Sequence, residues 1–88
     1  TVVILDLDEE ASRLAAAAVT GHGHKGYPCD VADRERCIAA AAAVLADFGR
    51  IDVLVNNAGI TQPLKIMDIQ PQHYDAVLDV NLRGTLYM

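Results

Sequence analysis

The stretch that decides the fold reads Gly49-Arg50-Ile51-Asp52-Val53-Leu54-Val55-Asn56-Asn57-Ala58-Gly59. Residues 51–55 are apolar except for Asp52, which is typical of a strand buried on both faces of a parallel sheet. Two amides and two small residues follow directly, and this combination lets a ligand approach the backbone closely. An ordinary Asn-rich turn is the plainer interpretation. The position of the block, directly after a buried strand, favours a ligand site.

Strand and helix patterns alternate on both sides of this stretch. Asp8 can cap a helix over residues 9–19, Asp33 can cap a second helix that Gly49 ends, and Pro71 suits the first position of a third helix. The helical period predicts one apolar face on the first helix, made of Ala11, Leu14, Ala15, Ala18 and Val19, and an inner face on the second, made of Ile38, Ala41, Ala42, Leu45 and Phe48. The full set of expected elements is a strand over 2–5, a helix over 9–19, an edge strand over 25–29 interrupted by Pro28, a helix over 33–48, a strand over 51–55, a loop to 70 and a final helix. The order β-α-β-α-β-loop-α predicts an α/β fold with a doubly wound parallel sheet.

Composition excludes several classes of protein. The net charge of −5 argues against a nucleic-acid partner, because binding a phosphate backbone needs surplus Lys and Arg. No apolar run is long enough for a membrane helix, and no signal peptide is visible. Cys29 and Cys37 form no metal or redox motif, which favours reduced thiols in a cytoplasmic protein. His22 and His24 flank a glycine without further ligands, so we expect no metal site.

Each predicted strand ends in a polar residue, and in a doubly wound sheet ligands bind outside the carboxyl ends of the strands. Asp6 can accept hydrogen bonds from both ribose hydroxyls of an adenosine, and its charge would repel a 2′-phosphate, which favours NAD over NADP. Asp30 can accept from an adenine amino group while Val31 packs on the ring. A loop acid or helix cap at Asp6, and turn chemistry at Asp30, remain the alternatives. With Asn56, these residues predict a nucleoside site along one rim of the sheet.

The last helix contains two unusual residues. Asn81 shares a predicted face with Tyr74, Val77 and Leu78, and a buried Asn needs partners. It either bonds to backbone or water, or it does chemistry. Gly84 costs a helix about 1 kcal/mol relative to Ala, so close helix packing or a functional bend should justify it.

These blocks together resemble the short-chain dehydrogenase/reductase family over essentially the whole chain. The matching segments are 2–11, Cys29-Asp30-Val31, the stretch 49–59 and Asp79-Val80-Asn81-Leu82-Arg83-Gly84-Thr85. The Asn-Asn-Ala-Gly block is highly specific in this order, whereas the Asp-Val pair alone is weak. The resemblance implies a Rossmann-like fold and hydride transfer between a nicotinamide cofactor and an alcohol or carbonyl substrate.

The resemblance also implies roles for individual residues. Asp6 matches the acid that selects NAD, with Leu7 beside it, and Asp30 and Val31 match the pair that contacts adenine. The loop that passes the cofactor corresponds to Asn56, Ala58 and Gly59. Asn81 matches the asparagine of the Asn-Ser-Tyr-Lys catalytic set, which holds a water in the proton relay to the lysine. Ile60, Thr61 and Gln62 are assigned to the substrate side only as a guess.

Parts of the family pattern are absent from the chain. The Gly-rich turn belongs just before Thr1, the catalytic Ser should follow Met88, and no Tyr has a Lys four residues later. Residues 1–88 are therefore expected to be a single, incomplete NAD(P)-binding domain, cut at both ends and inactive alone. The parent is expected to be a homo-oligomer, dimer or tetramer. The family's first strand would lie between the strands ending at Asp6 and Asn56, so the isolated piece should be marginal, oligomeric or rearranged.

Two other functions remain as alternatives. A phosphoacceptor receiver domain is also doubly wound, but its phosphorylated Asp should close a later strand, where this chain has Asn56. A catalytically inactive nucleotide-binding or scaffold protein on the same fold would share every residue present. A Tyr-x-x-x-Lys motif downstream would distinguish an enzyme from that second alternative.

Overall fold

A computed structural model describes all residues from Thr1 to Met88. Its elements, in chain order, are β1 (Val3–Asp6), α1 (Glu9–Ala18), β2 (Lys25–Pro28), α2 (Arg34–Phe48), a 3-10 turn (Ile66–Asp68), α3 (Pro71–Leu78), a π-helical turn (Asp79–Arg83) and α4 (Gly84–Tyr87). The α/β class is confirmed, and β1 and β2 pair in parallel as predicted.

Local capping chemistry sets the helix ends where the sequence predicts them. The Asp8 carboxylate accepts from the backbone N–H of Ala11 at 3.1 Å, and Asp33 caps α2 by accepting from Glu35 and Arg36. Gly49 ends α2 in the left-handed conformation, with φ of 77°. These bonds satisfy backbone groups that a helix leaves free at its ends.

The predicted strand over residues 51–55 is not formed. A strand needs a hydrogen-bonded neighbour, and no segment of this chain pairs with these residues. Val53 and Val55 are 78% and 77% exposed instead of buried. The sheet therefore has two strands, which fits the gap that the family resemblance implies between the strand of Asp6 and this segment.

The buried faces of the first two helices differ from the predicted ones. Ser12 and Ala16 are buried in α1, while Leu14, on the predicted inner face, is 62% exposed. In α2 the buried residues are Cys37, Ala40 and Val44, whereas the predicted inner face comprised Ile38, Ala41, Ala42, Leu45 and Phe48. Alanine-rich helices have little contrast between faces, so the neighbouring strands and turns decide which face is buried.

The core is small and lies under the carboxyl end of β2. Cys29, Cys37 and Ala40 form its centre, and Leu5 and Val31 are among the side chains packed against it. Only 7 of 88 residues are buried, and the radius of gyration is 14.8 Å, against about 12 Å for a compact chain of this length. The chain is thus an open arrangement of two strands and flanking helices. None of its helices is both long and apolar enough to cross a lipid bilayer.

One ion cluster fixes the position of α2 against the amino-terminal part of β2. Lys25 Nζ and Tyr27 Oη both donate to Oδ2 of Asp47. The hydrogen bond from Lys25 lowers the pKa of the Asp47 carboxyl, and the same bond raises the pKa of Lys25. The cluster lies at the end of β2 opposite to the carboxyl rim, so it aligns strand and helix without entering the candidate site.

Candidate functional site

The carboxyl ends of β1 and β2 form one rim, on which the first two predicted strand tips lie. Asp6 is in register with Pro28, and the N–H of Cys29 donates to the carbonyl oxygen of Asp6 at 2.8 Å. Asp30 follows Cys29 directly. The parallel pairing therefore brings the side chains at 6 and 30 to the same edge of the sheet, as predicted.

Each of these two acids uses one carboxylate oxygen in a local turn. Oδ1 of Asp6 accepts from the N–H of Asp8 at 3.0 Å, and Oδ1 of Asp30 accepts from the N–H of Ala32 at 2.9 Å. For the Oδ1 atoms, these bonds agree with the alternatives of a loop acid at Asp6 and turn chemistry at Asp30. Neither Oδ2 has a hydrogen bond within the chain, and Asp6 is exposed. An external donor such as a ribose hydroxyl or an adenine amino group can reach these oxygens.

The turn at residues 30–31 is supported from below by a buried thiol. Cys37 Sγ donates to the carbonyl oxygen of Val31 at 3.5 Å and approaches that of Asp30 at 3.8 Å. Burial raises the pKa of the Cys37 thiol, and it raises that of Cys29 to about 11. Both thiols therefore stay protonated at neutral pH, and Cys37 keeps the proton that it donates. Leu7, by contrast, is 71% exposed.

The second part of the candidate site consists of Asn81 and the backbone of Ile60. Its Oδ1 accepts from the N–H of Ile60 at 2.8 Å, and its Nδ2 donates to the carbonyl oxygen of Ile60 at 2.8 Å. It lies in the π-helical turn, a feature often found at functional sites. The expectation that Asn81 is buried is wrong, because the residue is exposed. The expectation that it needs a partner is right, since backbone groups occupy both ends of its amide.

The loop of residues 56–60 lies beside Asn81, although it does not leave a strand. A Cβ placed on Gly59 would lie 3.4 Å from Oδ1 of Asn81, in ordinary contact. Asn56 and Ala58 are exposed and make no hydrogen bond within the chain. The structure thus joins Gly59 and Ile60 to Asn81, but it does not align Asn56 with Asp6 and Asp30 in one sheet.

The structure assigns supporting contacts to two residues that the sequence pattern does not identify. The pattern predicts only a reduced thiol at Cys37 and places Ile60 only by guess, on the substrate side. A bond to the Ile60 backbone leaves no signal in the side chain, so sequence could not have identified it. For Cys37 the only available signal is its position on the buried face of α2, where it faces the turn at residue 30.

The rim of Asp6, Asp30 and Val31 offers polar and apolar groups side by side. The rim supplies free carboxylate oxygens for hydroxyl or amino donors, next to an apolar side chain for a base. No cluster of three or more His, Cys, Asp or Glu side chains that could hold a metal ion occurs in the chain.

The known proteins that resemble this chain match nearly all of its residues. A profile of the family described as enoyl-(acyl carrier protein) reductase matches residues 1–88. A short-chain type dehydrogenase/reductase of Sinorhizobium fredii is 43% identical over 97% of this chain and 35% of its own length. The D-threitol dehydrogenase of Mycolicibacterium smegmatis is 42% identical over 99% of this chain and 34% of its own length. The chain thus spans about a third of the length of these two relatives.

Two solved structures also superpose on nearly the whole of this chain. The 3-ketoacyl-(acyl-carrier-protein) reductase of Brucella melitensis, complexed with NADH, superposes with a TM-score of 0.89 at 33% identity, covering 98% of this chain and 35% of that one. A gluconate 5-dehydrogenase of Burkholderia cenocepacia, in complex with NADP and tartrate, gives 0.85 at 33% identity, covering 97% of this chain and 34% of that one.

Proposed function

Since the chain belongs to the short-chain dehydrogenase/reductase family, we propose that it forms the adenosine-binding part of a nicotinamide cofactor site in an oxidoreductase. Family membership rules out the receiver-domain alternative. The observation that supports the proposal best is the pairing of β1 with β2, since it puts Asp6 and Asp30 on one rim with free carboxylate oxygens.

We propose NAD as the cofactor. The free Oδ2 of Asp6 would accept from the adenosine ribose hydroxyls, and the same charge would repel the 2′-phosphate of NADP. Asp30 would accept from the adenine amino group, with Val31 against the ring. The bound cofactor would supply or take a hydride. Leu7, Asn56, Ala58 and Gly59 are proposed to lie along it, on the strength of the family pattern.

Asn81 is the one residue of this chain that we propose for the catalytic machinery. Its amide holds the backbone of Ile60, so it would fix the loop of residues 56–60 beside the reacting end of the cofactor. A second N–H of Nδ2 and a second lone pair of Oδ1 remain for water. The complete protein would act on a small alcohol or carbonyl substrate as a cytoplasmic homo-oligomer. The 88 residues alone should not turn over substrate.

Cofactor choice at Asp6 tests the proposal. In the full-length protein that contains this chain, titrations with NAD and NADP are compared for the wild type, Asp6→Asn and Asp6→Ala. The Asn variant keeps the acceptor for the N–H of Asp8, removes the charge and replaces the free Oδ2 acceptor with an NH2 donor. We expect Asp6→Ala to weaken NAD binding about tenfold, as for the loss of a charge-assisted hydrogen bond. Asp6→Asn should gain NADP binding.

A control and a second readout complete this test. Asp75→Ala removes an exposed carboxylate on α3, away from the rim, and should change neither affinity. Unchanged NAD affinity in Asp6→Ala, with no gain in NADP binding, would refute the role of Asp6. Cofactor binding without any alcohol oxidation or carbonyl reduction would instead support the catalytically inactive alternative.

A further inference from the structure

Gly84 occupies a place in the helix where the backbone does not require glycine. Its φ and ψ are −55° and −44°, which any residue adopts in a helix. It is nevertheless the only buried residue among the helical segments α3, the π-helical turn and α4. Glycine in a helix costs stability relative to alanine. The reason for it must therefore be space and not conformation.

Val31 fills that space. A Cβ added at position 84 would lie 2.7 Å from Cγ2 of Val31 and 3.1 Å from its Cβ. Val31 is β-branched, so it has few alternative rotamers with which to avoid the clash. Its side chain packs against the buried cluster of Cys29, Cys37 and Ala40, and its carbonyl oxygen accepts from Cys37. A side chain at 84 would therefore displace the 30–31 turn itself.

We propose that Gly84 is a positioning residue for the adenine end of the cofactor site, an inference that rests on the proposed function. By coming within contact distance of Val31, its backbone holds the side chain on which the base would pack. The same helical segment holds Ile60 through Asn81, three positions earlier. One stretch of helix thus fixes the adenine turn with Gly84 and the 56–60 loop with Asn81, and the two contacts are separable by substitution.

Displacement of NADH from the full-length protein measures the two ends of the site separately. Bound NADH is followed by its fluorescence, and AMP and nicotinamide mononucleotide serve as competitors. We expect Gly84→Ala to weaken AMP about tenfold while nicotinamide mononucleotide changes by less than about twofold. A general loss of structure would weaken both competitors equally. Thr85→Ala, an exposed neighbour on the same helix, should leave both unchanged.

The double variant Val31→Ala/Gly84→Ala tests the contact itself, because the first substitution removes the clashing Cγ2. Against Val31→Ala alone, adding Gly84→Ala should weaken AMP less than about twofold, so the two effects are coupled. If Gly84→Ala alone does not fold, a folded double variant that binds AMP like Val31→Ala supports the inference, and an unfolded one overturns it.

Two further results would overturn the inference while leaving the proposed function intact. These are an unchanged AMP affinity in folded Gly84→Ala, and an equal loss for both competitors. A wild-type protein that binds no NADH would instead refute the proposed cofactor site. In that case the thermal unfolding of the single and double variants would still show whether residues 31 and 84 are in contact.

Discussion

Removing the side chain of Asn81 should loosen the loop of residues 56–60. The two bonds between Asn81 and the backbone of Ile60 are the only hydrogen bonds that join this loop to another element. A typical intramolecular hydrogen bond contributes about 0.5–1.5 kcal/mol net. Ile60 is 42% exposed, so water replaces the lost partners. Each of the two bonds therefore contributes about 0.5 kcal/mol, the low end of that range. For Asn81→Ala we therefore expect a local loss of about 1 kcal/mol.

Amide hydrogen exchange in the full-length protein measures this loss directly. A change of about 1 kcal/mol corresponds to exchange about fivefold faster at the Ile60 amide. Asn81→Asp keeps the acceptor for the Ile60 N–H but loses the Nδ2 donor, so it should give a partial effect. Asn57→Ala is the control, since Asn57 lies in the same loop and makes no hydrogen bond within the chain.

The reasoning is refuted if exchange at Ile60 is the same in Asn81→Ala as in the wild type. It is also refuted if Asn57→Ala accelerates exchange equally. The first result would mean that packing, and not the amide, holds the loop. The second would mean that any change near the Asn-Asn-Ala-Gly block loosens it.

Two predictions concern stability away from the loop. Gly26→Ala should lower the free energy of unfolding by about 1–3 kcal/mol, because the new Cβ would lie 2.3 Å from the carbonyl carbon of Ser12. An unchanged thermal midpoint of unfolding would contradict the close approach of β2 to α1. Because burial raises the pKa of Cys29 from 9.0 to about 11, the stability it contributes is complete below pH 9 and is lost as the pH rises to about 11. Denaturant titrations should show that Cys29→Ala lacks this part of the alkaline loss of stability, and identical pH profiles would contradict the prediction.

Sequence predicts those parts of the fold that depend on local chemistry. Asp8, Asp33 and Gly49 cap helices with bonds to residues no more than four positions away, so their roles were visible in the pattern. The parallel pairing of the strands at 3–6 and 25–28 also followed, because a helix that connects two short strands of one sheet is typical of a parallel arrangement.

Features that depend on distant partners were predicted less well. The pattern of residues 51–55 is that of a buried strand, but a strand forms only against a neighbour, and this chain provides none beside it. The predicted inner faces of α1 and α2 are wrong because alanines occur on every side of both helices, so hydrophobicity differs little from one face to another. Ile60 was invisible as the partner of Asn81 because it bonds through its backbone.

The proposed cofactor site requires an adenosine bound at the rim formed by Asp6, Asp30 and Val31. A crystal structure of the full-length protein with NAD would locate this adenosine. We expect a carboxylate oxygen of Asp6 within about 3 Å of the adenosine ribose hydroxyls, and Val31 in contact with the adenine ring. An adenosine bound elsewhere, with the Asp6 carboxylate facing only solvent, would refute the proposed site.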